Sequence, residues 1–248
     1  MKIIALIPAR YEASRFPGKL MANLAGKSVI RRTYEAVVKT NLFVETYVVT
    51  DSDIIDEEIT SHGGAVIRSK KEHDCGTNRI AEAAEQLDAD ILINVQGDEP
   101  FIEKKPLKDL IAVFQNDTSF EVDLASLKQE LHKKEDIENP NFVKVIVDQA
   151  MHALYFSRSP IPYPRSIHKG TKYFVHIGVY AFRKSALIDF YHTKPTPLEE
   201  TEKIEGIRYL ETGKKIKMVN TDYMGVAIDT PQDLAQAERI IRDKEKSF

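Results

Sequence analysis

Two aspartates and three cations stand where this sequence can do chemistry. Asp98 and Asp229 each follow a short apolar run and each precede a turn or a helix. Carboxylates at two strand ends suit Mg²⁺, which takes one or two protein carboxylates and completes its shell with phosphate oxygens and water. Arg10, Arg15 and Lys19 occupy the loop after the first apolar run, Ile3 to Ile7. In an open α/β sheet that position borders the ligand crevice, so the three cations read as an anion site. The alternatives are a turn-forming aspartate at Asp98 and a solvated basic loop. The loop has no Walker A spacing, since Ala13 and Leu20 stand where glycine and Ser or Thr are required, and it has no three-glycine dinucleotide fingerprint. Side chains must therefore hold any phosphate.

The elements that position these residues follow from periodicity. Ile3 to Ile7 is a buried strand ended by Pro8, which has no N–H for the ladder. Ser28 to Lys39 has helical spacing; Thr46 to Thr50 is a strand, and Asp51-Ser52-Asp53 opens a helix that His62-Gly63-Gly64 stops. A short strand at Ala65 to Ile67, a helix carrying Ile80, Ala83, Ala84 and Leu87, and a strand at Ile91 to Val95 complete a βαβ series. After a helix at Pro106 to Gln115 and a strand at Val122 to Leu127 the pattern changes. Phe142 to Val147 and His152 to Phe156 read as a hairpin whose turn lacks glycine. A connector with Pro160, Pro162 and Pro164 leads to a strand at Tyr173 to Phe182 and helices at Ser185–His192 and Leu198–Thr212. Strands at Lys215 to Val219 and Val226 to Ile228 precede a terminal helix with Pro231 at its first position. The fold class is α/β: a mainly parallel, Rossmann-like sheet with helices on both faces and a β-hairpin arm. One domain spans residues 1–248, with an insertion over roughly 128–200.

Composition narrows the class. The 248 residues are 42% hydrophobic, enough for a core, and no apolar run has the length of a membrane span. The N-terminus enters a strand at once, so no signal peptide is expected. A single cysteine, Cys75, fits a reducing, cytoplasmic setting. With 38 acids against 35 bases the net charge is −3, which argues against a nucleic-acid binder.

Further candidates lie at element ends. His73, Gly76, Thr77 and Arg79 sit where a loop enters a helix, whose free N–H groups suit a polar or anionic ligand; Thr77 is equally a plain N-cap. Arg158 follows a strand. His176 and Tyr180 share one strand face, as ligand contacts or as sheet packing. Glu202, Glu205 and Arg208 fall at three-residue steps of one helix, the spacing of an ion-paired solvated face.

Eight ordered motifs then carry a resemblance: Pro8-Ala9-Arg10-Tyr11 with Arg15 and Pro17-Gly18-Lys19; His73 with Gly76-Thr77-Asn78-Arg79; Asn94-Val95-Gln96-Gly97-Asp98-Glu99-Pro100; Asn139-Pro140-Asn141 with Val143-Lys144; Ala153 to Arg158; His176 to Tyr180; and Asp229-Thr230-Pro231. End to end, the chain closely resembles the 3-deoxy-manno-octulosonate (KDO) cytidylyltransferases, or CMP-KDO synthetases, of lipopolysaccharide biosynthesis. The resemblance implies transfer of CMP from CTP to the anomeric hydroxyl of KDO with release of pyrophosphate. It implies that Ala9, Arg10, Arg15, Lys19, His73, Gly76, Thr77, Arg79, Gln96 and Asp98 bind the nucleotide, with Arg10, Lys19 and Asp98 catalytic and Asp98 and Asp229 holding Mg²⁺. Gln96, Arg158, His176, Tyr180 and Glu205 would hold the sugar acid, and the hairpin region would form a homodimer. One departure stands out. Where relatives read Leu-Glu-Gln-Leu-Arg, this chain has Ile204-Glu205-Gly206-Ile207-Arg208. The alternative acceptor is accordingly a variant acid sugar, an 8-amino octulosonate or sialic acid; the alternative from another class is a catalytically silent nucleotide-binding protein.

Overall fold

The computed structural model describes residues 1–12, 16–165, 170–223 and 227–245. The chain divides into two compact units, Met1–Lys104 with Gly225–Phe248, and Lys105–Met224.

The first unit is built on β1 (Ile3–Ala9), in which all seven residues are buried. A strand buried on both faces needs an unbroken apolar run, and IIALIPA supplies it. Two short strands, β2 (Asn23–Leu24) and β3 (Lys27–Ser28), lead into α1 (Val29–Lys39), whose N-cap Ser28 accepts the Arg31 N–H. β4 (Glu45–Thr50), α2 (Asp53–Thr60), β5 (Val66–Arg68), α3 (Gly76–Glu85) and β6 (Ile91–Asn94) follow. β1 pairs in parallel with β4 and β6, and β4 in parallel with β5. Contrary to expectation, Pro8 does not end β1: it stays in register opposite Val49. β6 pairs only as far as Leu6, so the proline lies where one neighbour has already left and its missing N–H is tolerated.

The second unit holds all but the first residue of α4 (Lys104–Asn116), then β7 (Leu124–Leu131), α5 (Lys134–Glu138), β8 (Lys144–Val147), β9 (Ala153–Ser157), β10 (Tyr173–Arg183), α6 (Lys184–His192), α7 (Pro197–Glu202), α8 (Gly206–Glu211) and β11 (Ile216–Asn220). β10 runs antiparallel to β7, and β11 parallel to it. β8 and β9 form the expected hairpin. Its glycine-free turn closes because Met151 takes the left-handed conformation (φ 64°) and Asp148 accepts the His152 N–H through its carboxylate at 2.7 Å. The rings of Tyr180, Phe182, Tyr209 and Phe190 form a continuous row in the core.

Two expectations fail. The helix read over Leu198–Thr212 is two helices, α7 and α8, because Lys203 takes a left-handed conformation (φ 55°) between them. Glu202, Glu205 and Arg208 therefore do not share a helix. Ala227 and Ile228 are not strand, and Val226 lies outside the described residues; the Ile228 N–H instead donates to the Asp98 carbonyl at 3.0 Å. The last helix, α9 (Pro231–Glu245), starts at Pro231 as read. Among the described residues no helix is long and apolar enough to cross a membrane.

Gly97, after β6, is fixed by close approach. A Cβ there would lie 2.9 Å from the Pro8 carbonyl oxygen and 3.1 Å from Ile30 Cδ1, and the Gly97 carbonyl accepts the Thr33 hydroxyl at 2.9 Å. Gly97→Ala is expected to destabilise the protein by about 1–3 kcal/mol, as overpacking does. Equilibrium denaturation checks this, and an unchanged midpoint would show that the contact with Pro8 relaxes freely.

Candidate active site

The loop after β1 carries Arg10, which is exposed, while Arg15 lies outside the described residues. Gly18 adopts φ 69°, donates its N–H to the Tyr11 carbonyl at 3.2 Å, and hands the chain to a 3₁₀ turn, Lys19–Met21. Leu20 in that turn is buried and anchors it. Lys19 is thereby aimed inward: its ammonium bonds Asp98 Oδ2 and, at 2.8 Å, Asp229 Oδ1. Asp98 leaves the end of β6 just after Gly97. Asp229 is set by the start of α9, where Asp233 accepts N–H bonds from Asp229 (3.1 Å) and Thr230 (2.8 Å). Burial acts to lower the Lys19 pKa, but attraction to Asp98 and the bonds to Asp229 and Asp98 outweigh it and raise it. The lysine stays charged.

Two carboxylates converging on one cation form an oxygen donor set that suits a hard divalent ion. Among the described residues no group of three potential ligands exists, so these two carboxylates fit an ion that takes its remaining ligands from phosphate and water.

At α3 the expectations divide. Gly76 starts the helix, and a Cβ on it would lie 3.2 Å from Pro8 Cγ and 3.7 Å from Gln96 Oε1, which places the helix start beside the end of β1. Cys75, not Thr77, is the N-cap; Thr77 is buried inside the first turn. Arg79 is buried and donates to Asp51 Oδ2 at 2.9 Å and to Ser69 Oγ at 3.0 Å. His73 Nε2 lies 2.8 Å from Glu82 Oε2. Asp51 and Glu82, which the sequence reading did not single out, hold these two side chains in place. Ala9 is buried at the end of β1.

In the second unit His176 and Tyr180 do share a face, and more closely than a regular strand allows. Four residues of extended strand span about 13 Å, yet their ring centroids are 5.2 Å apart. A register shift between Ile177 and Tyr180 sets His176 opposite Lys128 and Tyr180 opposite Ser126, residues only two apart on β7. No periodicity signals that bulge. Ser126 Oγ lies 2.9 Å from His176 Nε2 and within 3.1 Å and 2.9 Å of the Ile177 and Val179 carbonyls. Its one proton goes to a carbonyl, so His176 donates from Nε2–H and keeps Nδ1 as an acceptor. Burial pushes the imidazole down to about 4. Burial, then the nearby Glu205 carboxylate, pushes the Tyr180 phenol up.

Gly206 opens α8 against this face. A Cβ on it would lie 3.2 Å from Phe156 Cε2 and 3.3 Å from the Tyr180 hydroxyl. Those two side chains occupy the space into which a glutamine would start.

Arg158, expected at the sugar acid, is tied to the backbone in the ligand-free protein. Its guanidinium donates to the backbone carbonyls of Glu202 (2.7 Å), Pro140 (3.0 Å) and Lys203 (3.3 Å). Glu202 is not on a solvated face: its carboxylate accepts the Ser157 hydroxyl at 2.7 Å and the Arg158 N–H at 2.9 Å. Arg208 is buried as well, in a two-pronged pair with Glu199, both contacts 2.6 Å, stacked 3.8 Å from the Phe190 ring centre.

A parallel α/β unit with carboxylates and a lysine gathered at its strand ends defines a nucleotide-handling fold, and the comparisons name its group. The cytidylyltransferase family model matches residues 4–216. A 3-deoxy-manno-octulosonate cytidylyltransferase of Flavobacterium johnsoniae is 58% identical over 243 residues, covering 98% of this chain and 100% of that protein. One of Christiangramia forsetii is 60% identical over 240 residues, covering 97% of each. A solved CMP:2-keto-3-deoxy-manno-octonic acid synthetase complexed with CTP is 33% identical, with a TM-score of 0.93 over 98% of this chain and 100% of that one. The chain belongs to the cytidylyltransferase family, within the 3-deoxy-manno-octulosonate cytidylyltransferases.

The neutral His176 has a measurable consequence. Its folded pKa lies below the unfolded value, so the unfolded chain binds the extra proton between about pH 6.5 and 4 and stability falls as pH falls through that window. The full shift corresponds to an order of 3 kcal/mol. Denaturation at pH 7.5 and pH 4.5 should show a smaller loss in His176→Gln than in the unaltered protein. Equal losses would mean that the imidazole is solvated.

Proposed function

We propose that this nucleotidyltransferase transfers CMP from CTP to the anomeric hydroxyl of KDO. The sugar oxygen forms a bond to the α-phosphorus, the bond from that phosphorus to the β-phosphate oxygen breaks, and pyrophosphate leaves while the hydroxyl proton passes to solvent. The observation that carries this reading is the Lys19 ammonium held between Asp98 and Asp229. Arg10, Arg15 and Lys19 bind the triphosphate; Asp98 and Asp229 hold Mg²⁺. The bound metal supplies charge neutralisation at the reacting phosphates, the main need of a reaction that is chiefly positioning and electrostatics. Lys19, which the two aspartates keep charged in the ligand-free protein, would turn to the transferring phosphate and stabilise its negative charge once their oxygens hold a metal.

The loop and helix start from His73 to Arg79, with Gln96 and Ala9, bind the cytidine. Glu82 and Asp51 keep His73 and Arg79 in fixed orientations for it. His176, Tyr180 and Glu205 bind the sugar acid by hydrogen bonds: His176 as an acceptor at Nδ1, Tyr180 as a neutral phenol, Glu205 as a carboxylate. The space beside Gly206 is filled by Phe156 and Tyr180, and the two relatives named above carry the octulosonate name, so KDO is preferred over amino-substituted or sialic acceptors.

The insertion at roughly 128–200 carries the sugar-binding residues and a homodimer surface. Supporting the latter, Phe142, Leu154 and Tyr163 on the hairpin and its connector are 37%, 57% and 85% exposed. The reaction belongs to lipopolysaccharide biosynthesis in the cytoplasm.

Pyrophosphate release from CTP and Mg²⁺ tests the reading, with KDO, its 8-amino analogue and sialic acid in parallel. Turnover is expected with KDO above the others. Asp98→Ala should lower kcat by about 10²-fold or more with thermal unfolding preserved. Silence of the unaltered protein with KDO, or full activity of Asp98→Ala, would sink the assignment.

A further inference from the structure

Lys128 lies inside β7 and is 1% exposed. A buried ammonium needs carboxylate or carbonyl partners to offset its lost hydration. Among the described residues the Lys128 Nζ donates to no carboxylate or carbonyl, although Glu130 attracts it at longer range: the Nζ lies 3.4 Å over the centre of the Phe174 ring. The other fully buried lysine, Lys144, donates to the Asn139 carbonyl at 2.9 Å. The carboxylate nearest along the strand, Glu130, is engaged by Lys172 at 2.8 Å.

The register gives this lone cation its neighbours. Lys128 is directly opposite His176, and Ser126, opposite Tyr180, lies two residues further along β7. Opposed residues of an antiparallel pair project from one face. Lys128, Ser126, His176 and Tyr180 therefore share the face assigned above to the sugar acid. Among the described residues on that face, Lys128 is the cation not bound to a carboxylate or a carbonyl. His176 is neutral, Tyr180 is neutral, Glu205 is an anion, and the Arg158 guanidinium is committed to three backbone carbonyls. An acid sugar brings a carboxylate, which needs a positive partner in so dry a setting.

We propose that Lys128 is a substrate-binding residue whose ammonium pairs with the carboxylate of the acid sugar on the face that carries His176 and Tyr180. The inference rests on the reading of the substrate as an acid sugar. Phe174 holds the ammonium in the ligand-free protein through its π face, a weaker partner than a carboxylate, so the substrate can take it over.

The test is steady-state pyrophosphate release by the unaltered protein, Lys128→Met and Lys128→Arg, with KDO and CTP varied separately. Loss of one charge-assisted contact is expected to raise KM for KDO about 10–100-fold in Lys128→Met. KM for CTP should be unchanged, and Lys128→Arg should recover part of the loss. Lys128→Met should melt no lower than the unaltered protein, since a buried unpaired charge has been replaced by an apolar chain of similar length. An unchanged KM for KDO in a folded Lys128→Met, or equal rises for both substrates, overturns the role of Lys128 alone. No turnover of KDO by the unaltered protein overturns the substrate reading, and this inference with it.

Discussion

The bond of the Lys19 ammonium to two aspartates is the constraint on which the first unit depends. Asp98 and Asp229 arrive from distant parts of the chain, and two carboxylates at one half-buried point repel each other and give up water. One ammonium between them removes that obstacle, and they in turn hold it charged against burial. Everything nearby serves that convergence. Gly97 lets the end of β6 lie against the Pro8 carbonyl, Thr33 fixes the Gly97 carbonyl, and the Ile228 N–H on the Asp98 carbonyl binds the returning chain beside it. The same convergence is the arrangement proposed above for a metal and a phosphate, so on that reading the interaction that joins distant parts of the unit also gathers its charged groups.

The second unit works by the opposite device. The face that carries His176 and Tyr180 is aromatic and buried, and burial keeps these two groups neutral. Ser126 sets the tautomer of His176, burial keeps the imidazole uncharged, and Phe156 and Tyr180 fill the space beside Gly206. Such a surface has low polarity, so each remaining charge acts strongly. Two buried or half-buried cations of this unit are held structurally, Arg208 by Glu199 and Arg158 by backbone carbonyls. Those contacts tie together α6, α7, α8 and the hairpin.

Much of this was legible in the sequence. A parallel strand buried on both faces must be largely apolar, so β1 and β6 announced themselves, and charged residues just past their ends read directly as a ligand site. Ser28 and Pro231 marked helix starts for local reasons, a side-chain acceptor and a φ already suited to the helix. Asp98, Asp229 and Lys19 were legible one by one because each sits at such a boundary, and the ordered motifs carried the family.

What tertiary structure alone decided concerns pairs of residues far apart in the chain. No local pattern shows that one ammonium reaches both aspartates, that Arg158 is taken up by three carbonyls, or that Arg208 and Glu199 meet in the core. The two-residue shift in β10 that draws His176 to Tyr180 depends on its pairing with β7, and the break at Lys203 depends on where α7 and α8 each find packing. Local sequence sets backbone preference and burial, because those follow from the side chain's own chemistry. Which partner each buried polar group takes is settled only when distant elements come into contact, since that choice depends on where the alternatives lie in space.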